Sequence, residues 1–264
     1  DENDPSETGD KKAIWELTRH QYFTAVGQGY WIAGDETFAD AFLAHVQDWI
    51  EKNPPKLGLN WISSLEIAYR SISWIWAFHY FKNSSSFRPE IFVKMLNGLV
   101  CNAQHIERYL STYSSPNTHL TGEALGLYFI GTFLRGFAGA ERWARIGYEI
   151  LIGELERQIR ADGGYVEQAT HYQRYTADFY LALAILRRAE GRRLDTVHEA
   201  KLAKLLEFLM CLVQPNGEAP LTGDEDGGRL HFFDDIRRVS FALFYDGEDT
   251  KLQNSLTHLA GCVI

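Results

Sequence analysis

The sequence predicts an all-α protein, and three observations carry that reading. Apolar residues recur at the helical period of about 3.6 through most of the chain, while the alternation of a half-buried strand is almost absent. Gly, Pro, Asn and Ser punctuate the periodic stretches. At 264 residues and 45% hydrophobic, the chain can bury a substantial core as one large domain or two small ones.

Taken in order, the acidic start Asp1-Glu2-Asn3-Asp4-Pro5 reads as a disordered or linker segment over 1–10, ahead of a helical domain over 11–264. Helices are expected at 11–29 and 36–52, the second closed by Asn53-Pro54-Pro55-Lys56. In the next, 60–81, Leu65, Tyr69 and Ile72 form an apolar stripe, and Glu66, Arg70 and Trp74 share the neighbouring face at spacings of four. Asn83-Ser84-Ser85-Ser86 separates it from 88–111. A Ser114-Ser115-Pro116 turn leads into 118–135, where Asn117 or Thr118 is the natural N-cap and the stretch from Ala124 to Ile130 is apolar. Helices at 140–160 and 172–190 flank the turn signal Asp162-Gly163-Gly164, and the run from Tyr175 to Leu186 has the apolar density of a buried helix. After 194–214, the turn Gln214-Pro215-Asn216-Gly217 precedes a helix at 229–246 and one more near the C-terminus. Short connections make successive helices antiparallel neighbours, a series of hairpins that a bundle, a solenoid or a closed toroid accommodates.

Charge and cysteine usage narrow the function classes. A net charge of −9 with no basic run argues against a nucleic-acid surface. The chain has no run of about eighteen apolar residues, so no membrane span is expected. Cys101, Cys211 and Cys262 are odd in number and widely spaced, which implies neither a disulfide framework nor a zinc site. The 7 Trp, 13 Tyr and 16 Phe suit a packed core or a sugar-stacking groove.

Polar clusters fall in every second connection, before 60, before 118, in 161–171 and in 215–228. Loops at the two ends of a hairpin array alternate, so this spacing sets the clusters on one rim. The second cluster puts the amide of Asn117, the imidazole of His119 and the carboxylate of Glu123 at the mouth of an apolar helix, with His119 and Glu123 one turn apart. By themselves, Asn117 suits a simple cap and His119 a solvated position. The third cluster, with Glu167, His171, Tyr172, Arg174 and Tyr175 crowding another entrance to a helix, shifts the reading toward a functional site. For Trp61, Glu66, Arg70 and Trp74 two readings stand: a surface ion pair of small value, or Arg70 gripping a substrate carboxylate beside an aromatic sugar platform. The acidic 215–228 segment lacks the ligand spacing and terminal Glu of a calcium loop, so a turn network is expected there and no metal site.

The residues Trp15-Glu16-Leu17-Thr18-Arg19, Asn60-Trp61 with Ser64-Leu65-Glu66-Ile67-Ala68-Tyr69-Arg70 and Ser73-Trp74, Asn117-Thr118-His119-Leu120 with Glu123-Ala124-Leu125, Asp162-Gly163 with Glu167 and Tyr172, and Gly223-Asp224 form a recognisable set. On these the chain resembles the helical domain of the heparinase II/III-like polysaccharide lyases, which include heparan-sulfate and oligoalginate lyases. The resemblance implies an incomplete (α/α) toroid of antiparallel helical hairpins. In the family a C-terminal β-sandwich domain follows, contributing a catalytic His or Tyr and in some members a zinc site, and the cleft lies between the two. This sequence stops before such a domain. We therefore expect a fragment with no cofactor of its own, an acidic polysaccharide and the missing β-sandwich domain as partners, and a periplasmic or secreted location.

The resemblance also implies a chemistry, β-elimination from a uronate, which sets three tasks. The carboxylate at carbon five must be neutralised so that the neighbouring proton becomes acidic, a base must remove that proton, and an acid must protonate the departing glycosidic oxygen. Asn117 and His119 suit the first task. Tyr172 is the first choice for proton transfer, with Tyr175 one turn on kept beside it, because Gln173 follows Tyr172 where many relatives carry His. Trp61, Glu66, Arg70, Trp74, Glu123, Glu167, His171 and Arg174 are expected to bind or orient substrate. Among these, Arg70 or Arg174 would hold the carboxylate or lower the tyrosine pKa, and Glu123 or Glu167 would orient their neighbours. Two rival functions stand: a glycoside hydrolase on a similar toroid, drawing two carboxylates from Glu66, Glu123, Glu167, Asp224 and Asp226, and a non-catalytic module that binds acidic glycans.

Overall fold

The computed structural model describes residues 11–214, 219–225, 228 and 230. Among these the regular elements are all helical. None is long and apolar enough to cross a membrane. The chain divides into two compact units, one of Asp1–Ser114 and Gly122–Tyr148, the other of Ser115–Thr121 and Glu149–Ile264. The expected segment 1–10 and the helix expected at 229–246 lie outside the described residues.

The first unit begins with helices α1 (Lys11–Thr18), α2 (Tyr22–Ala33) and α3 (Thr37–Lys52). The single helix expected over 11–29 is thus two. The break has a tertiary cause: Arg19 and His20 are both buried, and His20 adopts a left-handed φ of 56°. The turn carries Arg19 onto Glu66 and His20 onto Trp74, contacts that a continuous helix would forgo. A 3₁₀ turn, Leu59–Trp61, precedes α4 (Ser64–Phe81), so the expected 60–81 helix starts four residues late. Helix α5 (Pro89–Arg108) opens with proline in its first turn, where the missing N–H costs nothing.

Helix α4 organises this unit. All of its residues except Phe78 are buried, the signature of a helix enclosed on every side. Glycines on neighbouring helices allow the close approach. A Cβ at Gly27 of α2 would lie 2.4 Å from the Tyr80 ring, one at Gly98 of α5 would lie 2.9 Å from Trp74, and one at Gly126 would lie 2.5 Å from the Ala68 Cβ. Gly126 belongs to α6 (Thr118–Phe133), which continues toward α7 (Ala140–Gln158). Phe42 stacks on Phe81 and meets Phe23 edge-on, rings whose burial contributes about 1.5–3 kcal/mol each.

In the second unit, α8 (Thr170–Ala189) buries Tyr175 through Leu186 without interruption, as its apolar density predicts. Leu202, Leu205, Leu206 and Leu209 of α9 (Thr196–Leu212) are buried, and the two helices pack together. The Asp162-Gly163-Gly164 signal forms a tight turn: the Gly163 N–H donates to the Arg160 carbonyl, and the Arg160 N–H to the Gly164 carbonyl. Gly163 has φ of +92°, and a Cβ there would sit 2.1 Å from the Lys204 carbonyl oxygen, so the position requires glycine twice over.

Candidate active site

The first turn of α6 begins the site. Asn117 caps this helix: its Oδ1 accepts the His119 backbone N–H at 3.1 Å. The same oxygen lies 3.3 Å from His119 Nδ1, which donates to it in the tautomer that leaves Nε2 as an acceptor facing outward. Because Oδ1 is fixed in this way, the amide nitrogen points the other way and donates to Glu167 Oε1 at 3.0 Å. One of its two hydrogens is used there, and the other remains to donate. His119 itself is exposed.

Two buried glutamines hold this corner, and the sequence reading missed both. Gln158 donates to the carbonyls of Pro116 (3.1 Å) and Asn117 (3.3 Å) and accepts from the Thr121 hydroxyl. Gln173 accepts the Tyr165 N–H at 2.7 Å and donates to the Gly163 and Leu205 carbonyls, fastening the turn to both α8 and α9. No motif marks either, since Gln158 and Gln173 both stand among polar and charged neighbours and their partners are carbonyls that the fold brings to them.

The Gly223-Asp224 segment completes the cluster. The Thr170 N–H donates to the Thr222 carbonyl at 3.0 Å, and the Thr222 N–H donates to the Thr170 hydroxyl oxygen at 3.2 Å. The Tyr172 hydroxyl donates to Asp224 Oδ2 at 3.3 Å, and His171 Nδ1 lies 3.5 Å from Glu225. Three of the four polar segments expected on one rim, those at 115–121, 161–171 and 219–225, therefore come together within this unit.

The three tyrosines of the region differ sharply. Tyr172 is half-buried with its hydroxyl on Asp224. Tyr175 is 2% exposed and packs its ring against Phe179 and His171. Tyr165 is also buried, and desolvation, reinforced by the charge and hydrogen bond of Glu167, raises its pKa far above the usual phenol range. Of the expected binding residues here, Arg174 is half-buried and His171 is buried, turned toward Glu225 and not toward open solvent.

The other expected binding residues sit in the first unit and call for correction. Trp61, Glu66, Arg70, Trp74 and Glu123 are between 1 and 8% exposed, so no open sugar platform exists at these side chains. Glu66 does not form a surface pair with Arg70. It takes both Arg19 Nε (2.6 Å) and Nη2 (2.9 Å) in a buried fork, with the guanidinium over the Tyr69 ring. Arg70 lies over Trp49 and near Trp61, donating to the Asn60 carbonyl. Burial lowers its pKa to about 9 although Glu66 opposes the shift. Trp74 donates to His20 Nδ1 at 2.9 Å, and burial followed by the Arg70 charge holds that imidazole neutral. Glu123 accepts both the backbone N–H and the hydroxyl of Ser111 at 2.7 Å, while burial raises its pKa to about 7.

Comparison with known proteins finds relatives of the chain as a whole. The family described as Heparinase II/III N-terminus matches residues 2–248. A heparin-sulfate lyase of Bacteroides thetaiotaomicron is 32% identical over 206 residues, covering 76% of this chain and 29% of its own length. A heparin-sulfate lyase of Pedobacter heparinus is 28% identical over 224 residues, covering 81% of this chain and 33% of its own. Among solved structures, the crystal structure of heparinase III matches with a TM-score of 0.68 at 29% identity, over 78% of this chain and 32% of that one. A heparan sulfate lyase HepC mutant from Pedobacter heparinus matches with a TM-score of 0.65 at 25% identity, over 81% and 34%. The chain spans about a third of the length of these relatives.

Proposed function

We propose that this chain, which belongs to the heparinase II/III N-terminal family, is the helical part of a polysaccharide lyase that cleaves a heparan-sulfate-like, uronate-containing polymer by β-elimination. The observation that carries the reading is the cluster of Asn117, His119 and Tyr172 in one compact unit, each with its orientation fixed by a neighbour. The names of its relatives, all heparin-sulfate lyases, support the choice of reaction and polymer.

The chemistry follows from what each group has left to offer. A uronate carboxylate beside Asn117 would take the free amide hydrogen, and His119, when its Nε2 carries a hydrogen, would add a second donor. Together they drain charge from the carboxylate and stabilise the carbanion-like state that forms when the carbon-five proton leaves. The N-terminal end of α6 favours negative charge at the same place. Tyr172 carries the proton transfer. Its hydroxyl donates to Asp224 Oδ2, and with that proton passed to the carboxylate the phenolate oxygen takes the carbon-five proton. The electron pair of the broken C–H bond forms the new carbon–carbon double bond as the glycosidic C–O bond breaks, and the departing oxygen takes the proton that Tyr172 then carries.

The hydrolase reading loses two of its five candidate carboxylates on geometry. It needs two carboxylates facing a common space, and Glu66 and Glu123 are instead buried on Arg19 and Ser111. The two reactions differ in product, since elimination leaves a double bond conjugated to a carboxylate that absorbs in the ultraviolet. With the intact natural protein and a panel of heparan sulfate, hyaluronan, chondroitin and alginate, absorbance should rise on heparan sulfate. Tyr172→Phe should lower that rate by about 10²–10⁴-fold. Reducing ends released without absorbance would establish hydrolysis, and binding without either product would establish a non-catalytic module.

A further inference from the structure

A cavity of about 280 Å³ lies in the second unit, and none of Asn117, His119, Glu167 or Tyr172 lines it. Its floor is the Asp162-Gly163-Gly164 turn and the start of α8, held by buried Gln173. Half-buried Phe208, Leu212 and Pro220 form an apolar wall, while Arg160, Asp162 and Gln168 are exposed polar residues on its lining. Among the described residues, no protein group takes up the Arg160 guanidinium or the Gln168 amide. Asp162 commits Oδ1 to the Gly164 N–H and keeps its second oxygen.

Gln168 gives a second, independent sign of use. It holds a left-handed φ of 58°, a conformation that a non-glycine residue adopts only at a cost. Strain of this kind collects where a side chain must be aimed at a target. On one side of this kink Glu167 turns to Asn117, and on the other Gln168 lines the cavity.

We propose that this cavity binds a single acidic sugar residue, a uronate or a sulfated hexose, as a site separate from the Asn117–His119–Tyr172 cluster. Arg160 offers a two-pronged donor for a carboxylate or sulfate. The Phe208, Leu212 and Pro220 wall matches the apolar face of a pyranose, and Asp162 and Gln168 supply an acceptor and a donor for its hydroxyls. The volume is at the small end of ligand pockets, which begin at roughly 300 Å³, and this favours one ring over an oligosaccharide. With one cationic and one anionic side chain on the lining, the cavity suits a singly charged sugar and not a polyanion. The choice of an acidic ring rests on the polysaccharide-lyase reading; the cavity and its free groups do not.

The test is a titration of the intact protein with D-glucuronate, followed by saturation-transfer NMR, with D-glucose as the neutral control. Saturable glucuronate binding is expected, weakened about tenfold or more by Arg160→Met and by Phe208→Leu, and unchanged by Tyr172→Phe. Absence of saturable binding, or binding lost in Tyr172→Phe but retained in Arg160→Met, would overturn the proposal. The lyase reading fails differently, as no ultraviolet-absorbing product from any uronate polymer while glucuronate still binds at Arg160.

Discussion

The two units use the same side-chain types for opposite ends. In the first, carboxylate, guanidinium, imidazole and indole groups meet inside the protein: Arg19 with Glu66, His20 with Trp74, and Glu123 with Ser111. In the second, Asn117, His119, Tyr172 and Asp224 also pair with one another, but His119 is exposed and Tyr172 half-exposed. Residue type therefore does not separate architecture from chemistry here. What separates them is whether the paired group still has a hydrogen or a lone pair facing outward.

That contrast makes opposite demands on variants. Tyr172→Phe should abolish most turnover while shifting stability little, because the ring stays and the bond to Asp224 is exposed. Glu66→Ala should do the reverse. It removes the buried carboxylate that takes two of the Arg19 N–H groups and leaves only the exposed Glu16 beside that guanidinium, a loss of about 3 kcal/mol in urea unfolding. The double replacement Arg19→Met with Glu66→Leu should recover most of that loss. A stable Glu66→Ala protein without activity would place Glu66 in the chemistry and break the comparison.

Glu123 sharpens it through pH. Its carboxyl has a raised pKa of about 7 against an ordinary 4.5, so between those values the folded state holds more protons than the unfolded one. Stability from this group is full below pH 4.5 and declines as pH rises, levelling off above about 7. The total is about 3 kcal/mol at most, from the 2.5-unit difference. Glu123→Gln should flatten the melting temperature across that window. An unchanged slope would show that the Ser111 bonds compensate fully for burial of the charge.

Much of this was legible in the sequence because helices announce themselves by period. The runs at 36–52, 118–135 and 140–160 needed only punctuation to delimit them, and the structure keeps them within a few residues. The amide, imidazole and tyrosine cluster was legible because turn residues before apolar helices mark loops with polar contents. Burial was not legible. Glu66, Arg70 and Trp74 have the spacing of a surface face, and only the packing of α2 and α5 around α4 turns that face inward. The break at Arg19 and His20 was hidden for the same reason, since its cause is a partner 47 or 54 residues away. Gln158 and Gln173 carry no motif; their worth lies in carbonyls that the fold brings to them.

The smallest effect tests the boundary between the two uses of polar groups. Gln168 is strained in the left-handed region, and glycine enters that region without the Cβ clash. Glycine also enlarges the freedom of the unfolded chain, which offsets part of the gain, so Gln168→Gly should stabilise the protein by only about 0.5 kcal/mol. A purely architectural glutamine would make the same substitution destabilising, because its side chain would be holding something. If Gln168 is instead kept for the cavity, the variant should melt slightly higher and bind glucuronate more weakly, a trade of function for stability. Thermal melts and the sugar titration on the same protein read both quantities. A rise in melting temperature with unchanged affinity would leave the strain without a ligand to explain it.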